Sequence, residues 1–113
     1  MAKAAVNFKT ETQLSTTGVV LSSVDTGSGS VNVIRAVSFF NQSSNTVTVK
    51  VYRLLSTNSI SDDNLMIQRD IPARKTWNAV ELQGKVVAAG YEIVASASVD
   101  SVVNAEADGV TSS

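Results

Sequence analysis

Cysteine and histidine are both missing from the 113 residues. The first absence excludes disulfides, thiolate metal sites and cysteine nucleophiles. The second excludes every mechanism that uses an imidazole as ligand or base. Charge is nearly balanced: nine Lys and Arg against ten Asp and Glu leave a net −1 and a pI near 5.2. A nucleic-acid surface calls for a basic patch or stripe, so no nucleic-acid partner is expected. No apolar run approaches the ~20 residues of a membrane span. The opening stretch "MAKAAVNFKTETQ" has too few apolar residues before Asn7 for a signal-peptide hydrophobic region. The expectation is a soluble protein made in the cytoplasm, with no membrane partner. Aromatic residues make up 5% of the chain, and the single proline is Pro72.

What is abundant is valine, threonine and serine, the composition of β-structure. The length suits one domain with one core. In "SVNVIRAVSFFN", Val31, Val33, Val37 and Phe39 share one face by strict alternation, and Ile34, Ala36 and Phe40 share the other, which predicts a central strand. In "NTVTVKVYRLL", Val47, Val49 and Val51 point one way and Thr46, Thr48 and Lys50 the other. Beyond Lys50 the polar face turns to Tyr52 and Leu54, so another segment or a partner should cover that end. Between these strands, "NQSSN" is a polar loop of hairpin length, which predicts that they pair as antiparallel neighbours.

Further strands are predicted in "GVVLSSVD", before the Gly/Ser loop "TGSGS", and in "DNLMIQRDI", where Leu65, Ile67 and Ile71 alternate with Met66, Gln68 and Asp70. "TWNAVEL" after the turn "PARK", then "GYEIVASAS" and "SVVNAEADGV", complete the series, with a weaker segment near Val6 to Thr10. Seven or eight short strands at this spacing predict an all-β fold, a seven- to eight-stranded antiparallel β-sandwich of jelly-roll-like type. Residues 1–13 would form an N-terminal arm or first strand, and 14–113 the sandwich. In "STNSISDDNLM" a short helical turn is the alternative to a loop, with Ser61 as cap and Asp62 and Asp63 at its N-terminus.

No catalytic constellation emerges. A serine nucleophile would have only Lys or a carboxylate as its base, and the serines fall in loops and on polar strand faces. Glycoside hydrolysis needs two carboxyl groups flanking one bond, and Asp62, Asp63, Glu81, Glu92, Glu106 and Asp108 show no spacing that singles out a pair. "SDDN" offers oxygen ligands for calcium but lacks the Asp/Asn-Gly pattern of an EF-hand and a distal acid, so it reads as a solvated loop or helix start. Gly84 and Gly90 are turn glycines, because "GKVVAAG" has no phosphate-loop spacing. No catalytic residue, cofactor or metal ligand is therefore expected.

Four residues stand out as candidate interface positions: Arg35, Tyr52, Leu54 and Trp77. Arg35 lies in phase with Val31, Val33 and Val37, where a buried guanidinium would need a partner and a projecting one could anchor a contact. Tyr52 and Leu54 are the apolar residues on an otherwise polar face. Trp77, beside a turn, suits core packing or an interface. A sugar platform would use several exposed rings, which so few aromatics hardly supply.

The order "VIRAVSFFNQSSNTVTVKVYRL", a polar loop with "SDDN", "IQRDIPARKTWNAVEL" and "GKVVAAGYEIVASAS" resembles small virion proteins of tailed bacteriophages across residues 31 to 98. In those proteins a strand ending at Asn precedes a Thr/Val-rich strand, a Pro-containing turn follows, and a "V-x-x-AG-x-x-I-x-A-x-A" strand closes the domain. The resemblance implies a virion structural protein made in the host cytoplasm. Its role would be capsid decoration (cement), with a neck or tail accessory subunit as alternative. Partners would be the major capsid protein or neck and tail proteins, together with copies of itself, a trimer being favoured. Met1 to Gln13 lies outside the matched stretch and is a candidate arm toward a neighbouring subunit. A receptor- or glycan-binding module is the competing class, and a small hydrolase is disfavoured by the missing histidine.

Overall fold

The computed structural model describes residues 3–27 and 29–112. Met1 and Ala2 of the expected arm, Ser28 of the Gly/Ser loop and Ser113 of the tail lie outside the described residues. Among the described residues nine strands form: β1 Lys3–Gln13, β2 Val19–Ser23, β3 Val31–Asn41, β4 Val47–Leu55, β5 Leu65–Ile71, β6 Thr76–Asn78, β7 Val86–Val87, β8 Tyr91–Ala97 and β9 Val103–Ser112. They make two antiparallel sheets, packed as a sandwich. Sheet A has the order β1-β9-β3-β6, with β7 also on β3, and sheet B the order β2-β8-β4-β5. The expected all-β antiparallel sandwich is what forms; β6 and β7 are short additions to seven longer strands.

The core lies between the sheets. Val47, Val49 and Val51 of β4 are buried as their alternation predicts, against Phe39, Ile93, Val103 and Ala105 among others. One polar group ties the layers: buried Asn32 of β3 donates from Nδ2 to Ser22 Oγ (3.0 Å) in β2, and its Oδ1 accepts from Thr111 Oγ (2.8 Å) in β9. An amide shared between sheets in this way satisfies itself without water.

Two sequence expectations fail for identifiable reasons. First, β3 does not keep one phase. Its pairing with β9 slips between Ile34 and Ala36, a β-bulge that leaves Arg35 and Ala36 both exposed while Ile34 and Val37 are both buried. One inserted residue exchanges the faces. Val31 and Val33 therefore do not share a face with Val37 and Phe39; they point away from the core and are only half-buried.

Second, β3 and β4 are not a hairpin. They lie in different sheets, and "NQSSN" is a corner crossing between layers. Asn41, completely buried, makes the corner: its Nδ2 donates to the carbonyls of Asn45 (2.7 Å) and Ile71 (2.9 Å), and its Oδ1 accepts from the Ser43 N–H (2.9 Å). These bonds hold the loop to the end of β5 in the opposite sheet. The consecutive strands that do pair are β4 and β5.

Smaller differences follow the same logic. β5 does not alternate cleanly, because the β4–β5 register slips between Val51 and Tyr52. "TWNAVEL" is a strand only to Asn78, after which Val80–Leu82 form a 3₁₀ turn that buries Leu82. The alternative helical reading of "SDDN" takes shape as one 3₁₀ turn, Asp62–Asn64, with the Asn64 side chain accepting from the Ser61 N–H (3.0 Å).

Candidate interaction surface

The two outer faces of the sandwich are treated differently by the chain. On sheet B, Tyr52 and Leu54 of β4 and Val94 of β8 form a second apolar cluster outside the main core, packed against half-buried Val20, Ile60 and Leu65. Ile60 and Leu65 belong to the β4–β5 connection and its end, so this connection roofs the patch. Gly18 sits beside it at φ +102°, where a Cβ would lie 2.8 Å from Val94 Cγ1. The rest of this face is polar: Thr48 donates to Asp70 (2.6 Å), and the Ser98 hydroxyl accepts from the Thr48 N–H (3.0 Å).

Sheet A has no such roof among the described residues. Because of the bulge, Val31 and Val33 face outward beside Val110 of β9, and Val86 and Val80 are exposed at the adjoining edge. Three hollows join across this face. The largest of the three, about 720 Å³, is lined by Val31, Val33, Val110, Arg35, Gln83, Gly84 and Ser112, with buried Ile34 beneath. A second, about 430 Å³, shares Arg35 with it and runs past Ala5, Asn7 and Ala36 to Asp108. A third, about 470 Å³, continues from Asp108 to Glu106, Ser38 and Asn78. Val31, Val33 and Val110 thus lie toward one end of the face, Arg35 and Asp108 in the middle, and Glu106, Ser38 and Asn78 beyond them with exposed Val80 alongside.

The charges at its centre are unspent. Among the described residues, the ion pair present is Arg69 with Glu81 (2.6 Å), on the flank of the sandwich, and neither Arg35 nor Asp108 or Glu106 takes part in one. The Ser112 hydroxyl, in the valine hollow, is buried without a hydrogen-bond partner among the described residues. An outer sheet face normally alternates to polar side chains; this one departs from that pattern, with valines beside a cation and two acids.

Of the four residues predicted as interface candidates, only Arg35 is on the surface. Tyr52 and Leu54 lie under their own chain's roof, as one of the two sequence readings allows. Trp77 is 7% exposed in the main core, stacked on Phe39 with centroids 5.2 Å apart and covered by the Arg69 guanidinium at 5.2 Å. Asp108, Val110, Val31 and Val33 belong to this surface without standing out for it in the sequence. The available signal is Arg35 itself: an arginine in phase with a row of core valines marks either a paired buried charge or a bulge. Among the described residues, no group of three or more acidic side chains converges as a metal site would. Compared with known proteins, the chain matches no family model, no curated protein and no solved structure.

Proposed function

We propose that this chain is a structural subunit of a bacteriophage virion, a decoration protein that stabilises the head by bridging capsid subunits. The observation that carries the reading is the valine-bearing outer face of sheet A, where Arg35 and Asp108 form no ion pair among the described residues. The strand order supports it. Most successive strands alternate between the sheets, and we read the orders β1-β9-β3-β6 and β2-β8-β4-β5 as a jelly roll, an architecture used by viral capsid domains and by lectins. A fold hosts many functions, so the weight rests on the face and on the resemblance over residues 31 to 98.

Mechanically, such a subunit adds contact area between neighbours and catalyses nothing. About 800 Å² per partner makes a stable contact, and a molecule 45 × 27 × 21 Å presents a broad side large enough for it. The N-terminal half of β1 offers a second element: it pairs regularly with β9 from Lys3 to Asn7, whereas its later half is broken by register shifts and by Glu11 at φ 52°. Its free side is a strand edge open to pairing with another chain.

The test compares particles assembled with and without the protein from the genome that encodes it. Heated in parallel, particles lacking it should release DNA at a lower temperature, and adding back purified protein should restore the difference. Identical release curves would overturn the proposal.

A further inference from the structure

We infer that the outer face of sheet A is where two copies of this chain meet, through a two-fold axis running between β3 and β9. This rests on reading that face as a protein contact, as above, and makes its occupant a second copy, which leaves the free edge of β1 as the element for the shell.

The register supplies the argument. Across the β3–β9 ladder, Val31 is opposite Ser112, Val33 opposite Val110, Ala36 opposite Asp108 and Ser38 opposite Glu106. A two-fold axis in the interface plane, parallel to the strands and midway between β3 and β9, lays each residue over the copy of its own cross-strand partner. Val33 then meets the second copy's Val110, valine on valine, and Val31 lies over the second copy's strand end at Ser112, whose hydroxyl is itself buried. Arg35, displaced to the surface by the bulge beside Ala36, meets the second copy's Asp108, and Asp108 meets the second copy's Arg35. Ser38 meets Glu106, a hydroxyl donor against a carboxylate acceptor. Apart from the small Ala36 at the bulge, no apolar side chain faces a charge along this central row, and both ions at its centre find an opposite partner.

This self-complementarity is what an isologous contact requires. It also fits sheet geometry, since two sheets packed face to face keep their strands within about 30° of each other. A ring of three would need two different complementary patches, whereas Arg35 and Asp108 are neighbours on one and the same face. The pair therefore replaces the trimer as the expected unit.

The experiment is the mass in solution by size-exclusion chromatography with light scattering, for the full chain, R35E, D108R and an equimolar mixture of the two variants, with circular dichroism confirming that each folds. The wild type should run at twice the 11.9 kDa of one chain. Each reversal places like charges at two symmetric positions, which should weaken the pair by about a hundredfold. In the mixture, the glutamate introduced in one variant faces the arginine introduced in the other, and native Asp108 faces native Arg35, so the pair should return. A wild-type mass of one or three chains, reversals that leave the pair intact, or a mixture that stays monomeric would overturn the inference. A monomer whose binding to particles is abolished by R35E would overturn the pair while leaving the proposed function standing.

Discussion

Gly109 shows how closely a single residue is fixed in this sandwich. It lies in the central strand β9, opposite Ile34 at the bulge and opposite Val6 of β1. A Cβ there would fall on the Val33 carbonyl oxygen and 2.8 Å from Phe8 Cε2. Backbone cannot move aside as a flexible side chain can, so Gly109→Ala is expected to cost about 3 kcal/mol, seen as a lower urea midpoint at unchanged slope. Asn41 is the polar counterpart. Replacing it with leucine strands the buried Ile71 carbonyl and loosens the Asn45 corner, and unpaired buried groups cost about 1–3 kcal/mol each. A urea midpoint equal to that of the wild type would show that water or the loop itself replaces these bonds. At this scale the sequence is legible where the phase is unbroken: Val47, Val49 and Val51 are core because no bulge precedes Tyr52 in β4. It is not legible at Arg35, because a bulge is set by the partner strand and leaves no mark in β3 beyond the charge itself.

The elements are held together by contacts of unequal worth. Arg69 of β5 reaches across the flank to Glu81 and covers Trp77, but the two charged side chains are 49% and 38% exposed. Solvent screening limits such a pair to about 0–1 kcal/mol, so Glu81→Gln should leave thermal stability almost unchanged. Trp77→Ala removes a core ring stacked on Phe39 and should cost about 3–5 kcal/mol. A calorimetric scan of both variants separates the two: a larger loss for Glu81→Gln would mean that the clasp, not the ring, closes the flank. The same distinction explains why the corner at "NQSSN" reads as a hairpin in the sequence. Loop length and polarity suit either geometry; the choice is made by the Asn41 amide bonding to Ile71, 30 positions away, which no local pattern contains. The covering of Tyr52 and Leu54 is legible as a need, since apolar residues on a polar face require a cover, but not as the β4–β5 connection that meets it.

For the whole molecule, β4–β5 is the one directly paired connection among the described residues; the other ladders join strands that are not consecutive in the chain. Closing long loops before contacts reward them slows folding, so refolding from urea should take milliseconds to seconds, and a microsecond phase carrying the full amplitude would contradict this topology. The same interleaving leaves sheet A with a central pair of strands whose outer face is apolar and charged in a self-complementary order. On the proposed function, a subunit so built acts by occupying a place in a larger shell. The most direct measurement is the amount of this chain in purified particles, quantified against the major capsid protein by mass spectrometry with labelled standards. A fixed ratio near a small whole-number fraction, unchanged after banding on a density gradient, is the expected result. Absence from the particles, or an amount that falls away with each purification step, would contradict a structural role in the virion.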